Sequence, residues 1–515
     1  MRILIFHGYL LGGTGSNVYN ARLAAALSAM GVEVHLFCQD RTPAERLFVD
    51  AVGDWDSGEL RVRTINEPVR CTVYRPNIGT LLPVYVLDRY EGIEARTFAD
   101  IDEAELDNYL ARNVAAVGEV ARLVKPDIAL ANHLVMGPVI LARALEPLGI
   151  PYAVKVHGSA LEYTVKPQPE RFLPLAREGI ASARGVLVGS RHTAESLWAA
   201  LDDDSIRLRT RLGPPGVDID AFAPRSPQEA ADGLVALAER LSQEPAGEGA
   251  SDSFARADGD AGRALQRLRP GKERIIAYTG KLIVSKGVDL LLAAWPLVLE
   301  RVPEARLVVV GFGAYRETLE RMASALAAGD VDAVRQIALA GRELEGGPAG
   351  RLEMLLAFLD SLDDADRYWA AAAGMDAKIV WAGRLDHDEL AELLPACEAQ
   401  IVPSTFPESF GMVAVEAAAC GALPIAAAHS GLQEVSRTLA AAVPAAAPWL
   451  SFELGGEAVE SLAERLCGFL QAPAASRASI SAAIAAAARE RYSWQGVARG
   501  VLAAASGELD ELLAP

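Results

Sequence analysis

The sequence predicts an α/β protein made of two doubly wound parallel-sheet domains. Three observations carry that expectation. At 515 residues the chain exceeds what one hydrophobic core supports. It opens with a strand, a glycine-rich turn, a helix and a second strand. The same layout restarts near residue 274. In order, residues 2–6 (R-I-L-I-F) are a short apolar strand, followed by the loop H-G-Y-L-L-G-G-T-G-S and the amphipathic helix N-V-Y-N-A-R-L-A-A-A-L-S-A-M-G. Gly31 ends that helix, and V-E-V-H-L-F-C at 32–38 returns as a strand, the opening unit of a doubly wound sheet. Apolar strands follow at 128–131, 152–156 and 185–188, each beside a helical pattern. In the second half, 274–279 is a strand, 287–301 a helix and 305–310 a strand, with further strands at 378–381 and 399–402. Two such domains are expected to face each other across a cleft.

Two segments depart from this pattern. Residues 225–270 contain Q-E-P-A-G-E-G-A-S-D-S-F-A-R-A-D-G-D-A-G, poor in apolar side chains, and read as a flexible linker with one helix near 229–241. Residues 328–375 contain two amphipathic stretches separated by E-G-G-P-A-G at 345–350. They read as a helical hairpin inserted into the second domain, either a dimer contact, a lid or inert decoration. The expected division is therefore a first domain over 1–224, the linker over 225–270, a second domain over 271–490 and a last helical segment over 491–515.

Composition narrows the class of partner. Hydrophobic residues make up 51% of the chain, enough for two cores, and the formal charge of −19 argues against nucleic acid. Cys38, Cys71, Cys397, Cys420 and Cys467 form no close pair and no metal-type spacing, as expected of buried thiols in a reducing compartment. The apolar run Ile3–Phe6 is too short for a signal-peptide core, and no run approaches transmembrane length, so a cytoplasmic location is expected.

The stretch with the most chemistry is P-S-T-F-P-E-S-F-G-M-V-A-V-E-A-A-A-C-G-A-L-P-I-A at 403–426, which sets Glu408 and Glu416 either side of Ser409-Phe410-Gly411. A helix opening near Gly411 or Met412 carries Glu416 one turn in and leaves Glu408 in the preceding loop. Its N-terminus offers free N–H groups and a positive dipole end, which suit a phosphate. Glu416 is then placed for the vicinal hydroxyls of a ribose, and Glu408 for a sugar.

This stretch resembles the donor-binding motif of the retaining GT-B glycosyltransferases, family 4 in particular, and the resemblance extends over most of the chain outside the two insertions. It implies a GT-B fold, with a first domain on the acceptor side, a second domain that binds a nucleotide-diphosphate sugar, and a C-terminal helix that crosses back to the first domain. Gly280-Lys281-Leu282 and Lys286-Gly287 follow the first strand of the second domain, where two ammonium groups suit a diphosphate leaving group. The family usually has arginine where Lys281 stands, and lysine loses the bidentate fork. Gly12-Gly13-Thr14-Gly15 leaves backbone open to a phosphate or sugar, but Val18 stands where a third glycine of G-x-G-x-x-G would be. By resemblance, His157 in V-H-G-S-A reaches the donor sugar, and His7 is a lesser candidate. Pro214-Pro215-Gly216-Val217-Asp218 is similar to the segment that closes the first domain. Gly311-Phe312-Gly313 and Gly383-Arg384-Leu385 are expected beside the nucleotide base.

The triplets D-x-D at 54–56, 202–204, 218–220 and 258–260 are frequent by chance in an acidic chain, and the metal-binding version belongs to a different glycosyltransferase fold. No metal and no cofactor beyond the nucleotide-sugar co-substrate is expected. With no carboxylate standing out as a covalent nucleophile, the resemblance implies retaining hexosyl transfer by a front-face route. In it Glu408, Lys286, Lys281 and His157 carry the chemistry, while Gly12, Gly13, Gly280, Gly311, Arg384, Leu385, Ser409, Phe410, Gly411, Met412 and Glu416 line the donor. A sugar-nucleotide epimerase of the same fold and a non-catalytic nucleotide-sugar binding subunit remain alternatives. The base, the hexose, the acceptor and the oligomeric state, a homodimer among the options, are open.

Overall fold

The computed structural model describes residues 1–12, 15–85, 94–243, 260–347, 349–362 and 365–515. Gly13 of the glycine-rich loop and residues 244–259 of the expected linker lie outside the described residues. Internal contacts divide the chain into one unit of Met1–Gly216 with Tyr492–Pro515 and a second of Val217–Arg491.

The first unit holds a sheet made from β1 (Arg2–Phe6), β2 (Glu33–Phe37), β3 (Ala51–Asp56), β4 (Glu59–Thr64) and β5 (Cys71–Arg75). A separate parallel pair is β6 (Leu81–Val84) with β7 (Glu94–Thr97), and the main sheet continues with β8 (Ile128–Asn132), β9 (Tyr152–Val156), β10 (Gly185–Val188) and β11 (Thr210–Leu212). The order is β11-β10-β9-β8-β1-β2-β5-β3-β4, parallel except for the β3–β4 hairpin. Ser57 (φ 52°) and Gly58 (φ 88°) both take positive φ in that hairpin, as a type I′ turn requires. The register pairs Phe6 with Phe37 and with Ala131. The loops after β1 and β8 therefore leave the sheet at one level, on either side of the point where strand order reverses, which is where open α/β sheets bind ligands. The C-terminal helix Trp494–Ser506 covers one sheet face, with Val497, Ala498 and Val501 in one core cluster with Ile3, Ile5 and Leu130. Gly216 comes so close to the Trp494 indole that a Cβ there would lie 2.7 Å from it.

The second unit is a six-stranded parallel sheet. Its strands are β12 (Arg274–Thr279), β13 (Ala305–Val310), β14 (Ile379–Gly383), β15 (Ala399–Val402), β16 (Leu423–Ala427) and β17 (Ser451–Phe452), in the order β14-β13-β12-β15-β16-β17. Strand order reverses at β12, so its C-terminal loop and that of β15 flank this unit's switch point.

The division between units falls at Gly216–Val217 rather than at 224. The helix expected near 229–241 is present, over 227–243, and belongs to the second unit rather than to a linker. Pro227–Gln243 is a helix whose Leu234, Leu237 and Leu241 are buried, and Arg225 Nη2 donates to Glu392 Oε1 at 2.8 Å. The amphipathic spacing of those leucines binds the segment to the second unit, despite the polar composition around it. A short helix, Asp260–Leu265, follows. Within 328–375 lie Val331–Ala340, a 3₁₀ turn Arg342–Glu345, Glu353–Ser361 and Ala365–Ala372. The last of these packs on helix Val288–Arg301, where the Tyr368 hydroxyl donates to Ala293 O at 2.8 Å.

Candidate functional site

At the switch point of the second unit three loops are laced together through their backbones. After β12, Gly280 N donates to Val310 O (3.1 Å) and Leu282 N to Phe312 O (2.7 Å), while Gly311 N donates to Gly383 O (2.8 Å). Gly311 is required, because a Cβ there would lie 1.9 Å from Gly280 O. The chain then makes a 3₁₀ turn, Val284–Lys286, and Gly287 adopts φ 66° with its missing Cβ 2.0 Å from Pro403 O. Thr405 N donates to Ser285 O at 2.9 Å, which ties this loop to the one after β15.

That tie brings Lys286 onto Glu408. The ammonium makes a short ion pair with Glu408 Oε1, which also accepts from Ser404 Oγ at 2.7 Å. The backbone of Glu408 is held in turn: its N–H donates to Ser430 Oγ (2.8 Å) and its carbonyl accepts from Gly431 N (2.9 Å). His429 Nε2 donates to Ser404 O at 2.7 Å, so its Nδ1 is left to accept from Ser430 Oγ at 3.0 Å. The helix Met412–Cys420 begins at Gly411 with no side-chain cap and no acid in its first turn, so its positive end is unneutralised by local sequence. Ser409 is exposed, while Phe410 and Met412 are half-buried and Gly411 is buried. Lys281 is exposed, and its ammonium has no acceptor among the described residues.

Glu416 is buried at 3% exposure on the second turn of that helix. Its Oε1 accepts from His387 Nε2 at 3.1 Å, and a carboxylate with one such bond keeps acceptor capacity on both oxygens. Arg384 turns to Asp386, with Nη2 2.8 Å from Oδ1, and Asp386 and Glu389 form a capping box on helix His387–Leu393. Leu385 is buried.

His7 and His157 meet in the first unit rather than here. His7 follows β1, His133 follows β8 and His157 follows β9, and their rings gather with Tyr9 and Tyr85. His7 Nε2 faces two acceptors, Leu10 O (3.0 Å) and Asn17 Oδ1 (2.9 Å), and its Nδ1 accepts from Asn20 Nδ2 (3.0 Å). Burial pushes its pKa down to about 4, so it is a neutral, fully engaged ring. Asn132 Nδ2 donates to Phe6 O (3.2 Å) and Asn20 Oδ1 (2.7 Å), which turns Asn132 Oδ1 toward His157 Nε2 at 2.8 Å. His157 is therefore the Nε2–H tautomer, and burial holds its pKa well below the usual value. His133 is buried at positive φ (70°) with neither ring nitrogen partnered among the described residues. Beneath this group Lys155 is buried against Gly213 O (2.5 Å), and burial pulls its pKa down to about 7. Gly12 stands at the edge of this unit's first loop, its carbonyl accepting from Asn17 Nδ2 at 2.7 Å.

Residues 14–209 match the Glycosyl transferase 4-like domain, and residues 265–332 and 361–444 match Glycosyl transferases group 1. The chain belongs to this glycosyltransferase family. The second match spans Lys281, Lys286, Arg384, Glu408 and Glu416 and passes over residues 333–360. This glycosyltransferase is 26% identical to the D-inositol 3-phosphate glycosyltransferase of Xylanimonas cellulosilytica over 430 residues, 82% of this chain and 77% of that one. It is 34% identical over 153 residues, 30% of this chain and 38% of the other, to the GDP-mannose-dependent alpha-(1-6)-phosphatidylinositol monomannoside mannosyltransferase of Mycolicibacterium smegmatis. Among solved structures it is similar to Anabaena HepE in complex with UDP and glucose, with TM-score 0.53, 17% identity, and 98% of this chain and 99% of that chain covered. It is also similar to the catalytic domain of Arabidopsis thaliana starch synthase IV bound to ADP and acarbose, with TM-score 0.56, 13% identity, and 98% of each chain covered. The fold is GT-B. Among the described residues no helix is long and apolar enough to cross a membrane.

Three features were not singled out from sequence. His387 begins a helix two positions past Gly383-Arg384-Leu385, and His429 and Ser430 follow β16 at the same end of the sheet. His133 stands directly after a strand, the signal that singled out His157, and the same rule applied to A-L-A-N-H would have found it. The D-x-D triplets have structural roles where described. Asp54 takes a bidentate bond from Arg75, and the Asp203 and Asp218 side chains accept from nearby backbone amides.

Proposed function

We propose that this glycosyltransferase moves a hexosyl group from a nucleoside-diphosphate hexose to a hydroxyl acceptor with retention at the anomeric carbon. The observation that carries the reading is the Lys286–Glu408 ion pair seated before the uncapped helix at Gly411, with the buried Glu416 carboxylate on that helix's second turn. The helix N-terminus and Lys286 supply positive potential for a diphosphate. Glu416 offers acceptor capacity for ribose hydroxyls, and Glu408 offers a carboxylate for the sugar. In the reaction the bond from the anomeric carbon to the diphosphate oxygen breaks. The acceptor oxygen bonds to that carbon on the same face, and its proton passes to the departing diphosphate. Charge on that diphosphate grows as the bond breaks, so groups fixed around it bind the transition state more strongly than the donor.

For the acceptor, the relatives that are named as inositol-phosphate and phosphatidylinositol-mannoside transferases make a phosphorylated cyclitol the first candidate. A cavity of about 320 Å³ in the first unit, lined by Asp40, Arg41, Asp54, Arg75, Asn77 and Thr80 among others, has the polar lining such a ligand needs. A thermal-shift screen against UDP-, GDP- and ADP-hexoses, then transfer to inositol phosphates, tests the assignment. Proton NMR of the new anomeric signal should show the donor's α configuration. A β-linked product would overturn retention, and conversion of the donor sugar without acceptor would point to an epimerase.

A further inference from the structure

The helical insertion of the second unit reaches the loop that carries Lys286. Glu345, the last residue of the 3₁₀ turn Arg342–Glu345, accepts the backbone N–H of Val284 on Oε2 at 2.7 Å. Val284 is the first residue of the turn that ends at Lys286, and Ile283 before it provides no side-chain cap. An N–H at the start of such a turn has no partner within the turn, so the carboxylate supplies one from outside.

The carboxylate is held for this task. Its side chain is 12% exposed, and Arg342 Nε stands 3.6 Å from Oε1. The turn is closed at its base, where Arg342 N donates to Gly350 O at 2.9 Å. A Cβ at Gly341 would lie 2.0 Å from Gly350 O, so only glycine allows that closure. All of this lies within residues 333–360, which the family match passes over. Other hydrogen bonds of the loop run to elements inside the match: Tyr315 N to Leu282 O (3.0 Å) and Thr405 N to Ser285 O (2.9 Å).

We propose that Glu345 is a positioning residue for donor binding: by fixing the Val284 amide it sets the pitch of the 284–286 turn and hence the reach of the Lys286 ammonium. The insertion then acts as a brace on the phosphate side of the site. This rests on the reading of loop 280–287 as that side.

The test is calorimetric titration of the full-length protein with UDP, GDP and ADP, using whichever binds the wild type. Glu345→Ala should weaken that diphosphate about tenfold, equivalent to about 1.4 kcal/mol. Glu345→Gln keeps an acceptor oxygen and should recover most of the loss. Val284→Pro deletes the same hydrogen bond from the donor side. Proline is tolerated at the first position of a turn, and Ile283 (φ −136°, ψ 155°) already has the extended backbone that precedes it. Val284→Pro should match Glu345→Ala, with melting temperatures close to wild type and faster hydrogen exchange across 284–287 in Glu345→Ala. Lys286→Ala is the control. If it loses affinity while Glu345→Ala and Val284→Pro do not, the brace is wrong and the phosphate reading stands. If Lys286→Ala also binds normally, both fall. A Glu345→Ala loss that the Gln variant does not recover and that comes with a lowered melting temperature also overturns the proposal, because it reports only a damaged insertion.

Discussion

Glu408→Gln separates the two jobs assigned to the Lys286–Glu408 pair. The two side chains are 28% and 24% exposed, and Ser404 Oγ adds a 2.7 Å hydrogen bond to the carboxylate. At contact distance and an effective dielectric near 20, the bare attraction is about 4 kcal/mol, and dehydration of both ions offsets much of it. A net worth of about 1 kcal/mol is left for a pair this accessible. Before a diphosphate can take Lys286 fully, that much must be given up. Glutamine keeps the shape and removes the charge, so the ammonium is released. Affinity for the nucleoside diphosphate should stay level or rise, by up to about fivefold. Turnover should move the other way, because a carboxylate facing the sugar favours the positive charge that develops at the anomeric carbon. Loss of one such electrostatic group costs on the order of a hundredfold. The assays are calorimetry with the diphosphate and initial rates with the donor that the screen selects. A tenfold fall in diphosphate affinity would show that Glu408 builds the phosphate site itself. Normal turnover would remove Glu408 from the chemistry.

Glu416→Ala should weaken nucleoside diphosphate binding about tenfold or more, since a buried charge-assisted hydrogen bond contributes roughly 1.5–3 kcal/mol; unchanged affinity in calorimetry would refute the ribose assignment. Turnover should persist in excess EDTA, and activity lost to EDTA and restored by magnesium or manganese would require a metal in the mechanism. Acid should unfold the first unit through its buried histidines. The unfolded chain takes up a proton near pH 6.5, whereas folded His7 does so only near pH 4, so stability falls as pH drops through that window. His7→Gln should remove up to about 3 kcal/mol of this loss, seen as a flatter dependence of the urea midpoint on pH between 6.5 and 4, and a variant that tracks the wild type throughout would refute it.

The alternation of apolar strands and amphipathic helices was legible because burying a parallel sheet on both faces demands near-continuous Val, Ile and Leu runs. Residues 274–279, 305–310 and 399–402 are such runs, and each became a strand with the same limits. The motif at 403–426 was legible for a related reason: strand, loop and helix are contiguous, so local spacing alone puts Glu408 before the helix and Glu416 within it. Strand β4 was not legible, because E-L-R-V-R-T is an edge strand with little burial, and its pattern is set by the β3–β4 turn. The amphipathic run at 227–243 could be seen, but what it packs on, including the Arg225–Glu392 pair, could not. The pairings between residues far apart in the chain come from the three-dimensional packing alone. Lys286 with Glu408, His387 with Glu416 and Glu345 with the Val284 amide all depend on which strands neighbour β12 and on how the insertion folds back. Sequence spacing carries no information across such gaps, because sheet order and close backbone contact, as at Gly287 against Pro403, determine which loops meet.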